Sequence, residues 1–158
     1  MKKYFLVLSG LLLTAFSSKA QTITSGSFAD LAGKTEVSVV FDYSETQVVR
    51  SKKTVSELVE SDAKFAKTKE KQERYFIGSL NDDAKGVMEF GDYQNPQAVL
   101  TIKMLKIKDD MESPNFKAVF STPDGSEIVT VEDLKQEDLN DAGHDFGKFI
   151  KKQMKKVQ

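Results

Sequence analysis

Hydrophobic and polar positions change their period several times along the chain, and each change marks an element. Residues 36–43, EVSVVFDY, alternate as a strand. Val37, Val39 and Phe41 share one side and Val40 lies on the other, which predicts a strand covered on both faces. Residues 47–50 read as a short extension or partner of it. Thr54-Val55-Ser56-Glu57 has the spacing of a capping box, in which the Thr54 hydroxyl and the Glu57 carboxylate each satisfy the other's backbone amide. Behind it Val55, Leu58, Val59, Ala63 and Ala66 recur at helical spacing. The charged stretch 68–74 follows, and Tyr75, Phe76, Ile77 and Leu80 then restore an apolar face. This pattern predicts one long helix over 55–84, or two helices with a bend near Lys71.

Residues 87–90 read as a short strand before a turn region at 91–96. Residues 98–108, AVLTIKMLKIK, form the second long strand, with Leu100, Ile102 and Met104 on one side and Val99, Leu105 and Ile107 on the other. Residues 116–120 and 127–131 flank STPDGS, and Pro-Asp-Gly between two β-rich runs predicts a hairpin. The chain closes on a helix over 138–156, with Leu139, Ala142, Phe146, Phe149, Ile150 and Met154 on one stripe. Its aspartates come first and its lysines last, the polarity that the helix dipole favours. The lysine run thus has a structural explanation that needs neither a polyanion nor an anionic lipid. A right-handed crossover through the first helical segment makes the two long strands parallel. The expected fold is α/β (α+β): a mixed four- to five-stranded sheet in the order β-α-(β)-β-β-β-α, with one long helical segment and a carboxy-terminal amphipathic helix.

Residues 1–20 stand apart from this pattern. Lys2 and Lys3 precede an apolar run from Tyr4 to Phe16, and Ser18-Lys19-Ala20 places small residues where signal peptidase reads them. The run is too short to span a bilayer, which takes roughly 18 apolar residues or more. Residues 1–20 therefore read as an export signal cut between Ala20 and Gln21, residues 21–33 as a flexible amino-terminal segment, and residues 34–158 as a single domain. Removing residues 1–20 from the 158 leaves 138, enough for one packed core without metals or disulfides. Removing Lys2, Lys3 and Lys19 from the 23 Lys and Arg leaves 20 against 24 Asp and Glu, a net charge of −4. That balance gives no electrostatic case for nucleic acid. The chain has no cysteine, so thiol catalysis, Cys-ligated zinc and lipoprotein anchoring are excluded together.

The succession VSVVFDY, long helix, QAVLTIKMLKI, a hairpin turning at STPDGSEI and a closing amphipathic helix resembles the TolB amino-terminal-like fold. That fold is also found in curli-secretion-type and other small bacterial envelope domains. The FDY strand end and the closing AGHDFGKFIKKQM also resemble small exported bacterial families of unknown function. The resemblance spans residues 36–156 and rests on element order and hydrophobic texture. It implies a non-catalytic periplasmic or surface binding role, with an envelope protein or another envelope component as partner. The chain departs from the lipoprotein members of that group, because it lacks the lipid-bearing cysteine.

Motifs for chemistry are sparse. His144 is the one histidine, and no G-x-S-x-G elbow accompanies it, so it reads as a boundary residue near a helix start. Residues 138–149 imitate a calcium loop but place Ala142 and Phe149 where oxygen ligands belong. No glycine-rich phosphate loop occurs, and no cofactor is expected. One acidic grouping follows from topology: parallel long strands would bring Asp42 and Tyr43 beside Asp109 and Asp110 at the carboxyl edge of the sheet. Such a set suits a divalent cation or a cationic ligand, and a cation-dependent hydrolase using Asp42, Asp109 and Asp110 is one alternative. The plainer reading is that these residues solvate strand ends and start turns. A second alternative is a small-ligand carrier with a cavity lined by Phe65, Phe76 and Phe90. Mass spectrometry of the protein recovered from the cell envelope is expected to find Gln21 as its first residue, and Ala20→Arg to leave the precursor uncut.

Overall fold

The computed structural model describes residues 21–157, so the export signal read at residues 1–20 lies outside the described residues. Among the described residues the fold is α/β, with three α-helices on a mixed sheet of seven strands. The strands are β1 (Thr22–Gly26), β2 (Glu36–Asp42), β3 (Gln47–Val49), β4 (Glu89–Gly91), β5 (Ala98–Lys108), β6 (Asn115–Ser121) and β7 (Glu127–Lys135). The helices are α1 (Val55–Ser61), α2 (Ala63–Ala84) and α3 (Leu139–Val157). The sheet order is β1-β7-β6-β5-β2-β4, with β3 also paired to β5. As the crossover argument requires, β2 and β5 are parallel, and β6 and β7 form the hairpin.

Two short strands raise the count above the expected four or five. The segment 21–33, read from sequence as a flexible lead-in, is instead built into the domain. β1 adds to the free edge of β7, and a 3-10 turn at Phe28–Leu31 buries both of its apolar ends. Phe28 meets Phe120 and Phe149 edge-on, which fixes the turn against the core. β3 pairs with the far half of β5, so β2 and β3 act as one interrupted strand along the same neighbour.

The helical segment is divided, and the division falls at Asp62 rather than near Lys71. The Thr54–Glu57 capping box starts α1 as its spacing predicts. Asp62 then leaves helical geometry, and its carboxylate accepts from the backbone amides of Lys64 (2.8 Å) and Phe65 (3.1 Å) to start α2. A short acidic side chain at that position satisfies amides that an uninterrupted helix would satisfy internally. α2 continues through the charged stretch because Lys69 and Glu73 pair one turn apart at 2.7 Å.

Both long helices lie on one face of the sheet. Phe76 of α2 packs edge-on against Phe41 of β2 and Phe116 of β6, while Phe146 of α3 meets Phe120, four residues along β6 on the same side. Among the described residues no helix lies on the other face, which corrects the expectation that β2 is covered on both sides: Val40 is 48% exposed. A bulge in β5 between Met104 and Lys106 leaves Leu105 unpaired and outward, 40% exposed, and re-phases the strand. Ile107 therefore turns into the core instead of joining Val99 and Leu105 outside.

α3 crosses α2 at two glycines. A Cβ on Gly143 would stand 2.4 Å from the Phe76 carbonyl oxygen, and one on Gly147 would stand 2.8 Å from Asp83 Cβ and 2.9 Å from the Leu80 carbonyl oxygen. Advance from 143 to 147 is thus matched by advance from 76 to 83, so the helices run in the same direction. Gly143→Ala is expected to destabilise the fold by about 2–3 kcal/mol, because backbone cannot give way as a side chain does. Gly78 lies in α2 with open space around it, so Gly78→Ala is expected to stabilise by about 1 kcal/mol. Urea unfolding midpoints of the two variants check the opposite signs.

Candidate functional site

The strand-end residues singled out by topology are only partly brought together. Parallel pairing sets Asp42 opposite Lys103, whereas the end of β5 is paired by β3, with Val49 opposite Lys108. Asp109 is six residues beyond Lys103, roughly 20 Å along the strand at about 3.3 Å per residue. Asp42 and Asp109 are therefore at different levels of the sheet, because β3 takes the place beside β5 that a terminating β2 would have left open. Asp109 and Asp110 are exposed, and Asp110 accepts from the Glu112 amide at 3.1 Å within a turn. Among the described residues no group of three or more His, Asp or Glu is placed to hold a metal ion.

Asp42 itself closes a turn. Its carboxylate accepts from the Ser44 hydroxyl at 2.6 Å and the Ser44 amide at 2.9 Å, and these bonds hold its pKa below the ordinary carboxylate value. Asp42, Glu45, Lys103 and Lys117 line a depression of about 200 Å³ on the uncovered face of the sheet. The adjacent Tyr43 goes the opposite way, as successive strand residues do. Its ring stacks on Phe41 with centroids 6.4 Å apart, and Lys69 Nζ lies 4.6 Å from its centroid. Its hydroxyl is fully enclosed. Burial, and then the Glu73 carboxylate beside it, push the phenol pKa well above its ordinary value. Asp42 and Tyr43 consequently serve different faces and form no joint site.

The other chemical candidates have structural employment. His144 Nδ1 lies 2.5 Å from Asp83 Oδ2, across the α2–α3 contact, and its sequence neighbour Asp145 instead accepts from the Gln136 side-chain amide. Ser79 donates to Asn140 at 2.6 Å beside the same contact. No serine hydroxyl among the described residues is bonded to the histidine, so the geometry offers no activated nucleophile there. Phe65, Phe76 and Phe90 are all buried in the hydrophobic core.

What remains as a candidate surface is the uncovered face of the sheet. Register places Val40, Thr101, Val119 and Thr130 in one row across four strands, with Ser38, Val99 and Ser121 in the row beside it. Asp42, Lys103 and Lys117 make the charged row on the other side, and Leu105 stands just beyond it at the bulge. The face is thus a strip of β-branched and small residues bordered by charge. The alternation Thr101, Lys103 within AVLTIKMLKIK is the sequence signal for it, because a strand covered on both sides would carry apolar residues at those positions.

Compared with known proteins, the chain matches no family model, no curated protein and no solved structure. Tyrosine in the unfolded chain ionises near pH 10, while the enclosed Tyr43 stays neutral well above it. Its contribution to stability is therefore complete below that pH and diminishes as pH rises through and beyond it. Above about pH 10 the protein is expected to lose stability faster than its Tyr43→Phe variant, by up to about 1.4 kcal/mol per pH unit. Urea unfolding of both proteins at successive pH values measures the difference.

Proposed function

We propose that this protein is a non-catalytic binding module of the bacterial cell envelope, exported by its amino-terminal signal, and that its uncovered sheet face docks a protein partner. The observation that carries the reading is the one-sided fold: α2 and α3 share one face, and the other presents Val40 and Leu105 exposed among valines and threonines. An exposed apolar strip with a charged border has the anatomy of a protein contact, an apolar centre with a polar rim. Lys103 and Lys117 at the border suit an acidic counterpart and would set its orientation more than its affinity. The resemblance in element order to small envelope domains supports the same role. The separation of Asp42 from Asp109 weighs against the hydrolase alternative.

A photocrosslinking residue placed at Val40 in producing cells tests this, with the exposed helix position Lys71 as the comparison site. Val40 is expected to capture one envelope protein that Lys71 does not. Leu105→Glu is expected to lower that capture at least about tenfold without changing the unfolding midpoint, because a buried unpaired charge costs an interface more than 1.4 kcal/mol. Equal capture from both positions, or recovery of the protein uncut in the cytoplasm, would sink the reading.

A further inference from the structure

α2 and α3 lie side by side on the sheet and carry their surface charge in opposite ways. α2 mixes the two signs and pairs them one turn apart, Lys69 with Glu73 at 2.7 Å and Arg74 with Glu70 at 3.5 Å. The second half of α3 carries one sign alone: Lys148, Lys151, Lys152, Lys155 and Lys156, with no Asp or Glu after Asp145. None of these lysines is ion-paired among the described residues. Lys151 is half-buried and the others are exposed. At about 100° per residue they fall within an arc of roughly 140°, on the side of the helix away from the buried Ile150 and Met154. They form a single stripe about 12 Å long.

The helix dipole explains only part of this stripe. Its effect is confined to the last turn, which holds Lys155 and Lys156. Lys148, Lys151 and Lys152 come earlier, and like charges three or four positions apart cost a helix stability. Solubility does not call for the stripe either, since a surface of mixed sign, such as that of α2, serves as well. The carboxylates at its margin do not neutralise it. Asp83 borders the shallow hollow that the lysines line and is engaged by His144. Asp133 and Asp145 border Lys148 and Lys152 on the other flank, and Asp145 already accepts from Gln136.

We propose that this stripe docks the protein on a membrane surface of anionic phospholipid, with α3 lying along the headgroups. Charge complementarity carries the choice of partner. Clusters of four to eight basic residues on a helix face are drawn to anionic headgroups, each adding roughly fivefold to membrane partition. The composition of the stripe separates a membrane from other anionic partners. Protein interfaces are enriched in arginine and aromatic residues and depleted in lysine. Arginine, with its rigid fork, is the usual choice for reading nucleic-acid phosphates. Every cation here is a lysine, a hydrated point charge on a flexible stem, which suits headgroups that move laterally and present no fixed geometry. The stripe is independent of the sheet face, which lies on the far side of the strands, so both contacts can be made together.

Cosedimentation with phospholipid vesicles tests the proposal, using protein that begins at Gln21 and so contains every described element without the apolar run 4–16. Vesicles of about one-third phosphatidylglycerol in phosphatidylcholine, at about 0.1 M salt, are expected to bind half the protein below about 1 mM lipid. Pure phosphatidylcholine is expected to bind it at least about tenfold more weakly, and about 0.5 M salt to release it. The triple change Lys148→Gln, Lys152→Gln and Lys155→Gln should weaken binding about a hundredfold. Replacing the same three lysines by arginine should preserve it, because charge is what the headgroups attract. Lys64→Gln, Lys67→Gln and Lys71→Gln together remove equal charge from exposed positions of α2 and are expected to change binding less than about threefold. Unfolding midpoints report that each variant is folded. Equal binding to both vesicle types, equal losses in the α2 and α3 glutamine variants, or no sedimentation at about 5 mM lipid would each overturn the proposal. So would duplex DNA displacing the protein from the vesicles at about 0.15 M salt, which would make the stripe a nucleic-acid contact instead.

Discussion

α3 approaches α2 so closely at Gly143 and Gly147 that neither position has room for a Cβ. That contact determines most of what surrounds it. Two helices running in the same direction at this separation both reach the sheet from one side, with Phe76 over β2 and β6 and Phe146 over β6. Polar side chains frame the contact: Ser79 bonds Asn140 on one flank, and Asp83 meets His144 on the other. With both helices on the same face, no helix among the described residues covers the second face, and β5 and β6 alternate accordingly. The bare face is thus a consequence of the helix contact.

The parallel arrangement also determines how far α3 extends. Gly147 lies level with the last turn of α2, so residues 148–157 continue past the end of their neighbour by about 15 Å. This projecting half is held from beneath, where Ile150 and Met154 are buried and Phe149 meets the Phe28 ring of the amino-terminal turn. Its outer side carries Lys148, Lys151, Lys152, Lys155 and Lys156, with no acidic residue after Asp145. A protein of net negative charge thereby concentrates positive charge at one end.

A second constraint acts at the edge of β5. Its first half is paired by β2 and its second by β3, and the two partners are separated by a turn in which Asp42 is bonded to Ser44. The bulge at Leu105 falls opposite this interruption. Thr46 bridges the gap by donating its hydroxyl to the Met104 carbonyl at 2.8 Å. Both irregularities serve the same end: Val48 and Ile107 turn into the core beyond the break. They also put Asp109 out of reach of Asp42, so a cluster that strand order alone suggests never assembles.

Local signals determined a good deal of this protein. The capping box at Thr54, the Pro-Asp-Gly hairpin, the alternation of β2, β5 and β6 and the stripe of α3 were all legible. Each depends on residues within a few positions of one another, and the right-handed crossover rule then supplied the parallel pairing of β2 and β5. What only the tertiary structure decided has long sequence separation in common. Thr22–Gly26 looks like a polar tail until the edge of β7, about a hundred residues away, offers it a partner. Tyr43 and Asp42 are neighbours in sequence and are sent to opposite faces. Gly143 and Gly147 read as weak points in a helix, and their purpose appears only when α2 is laid against them. Periodicity records which side of an element is apolar. It does not record which other element will fill the space, because that depends on shape and on pairing across the chain.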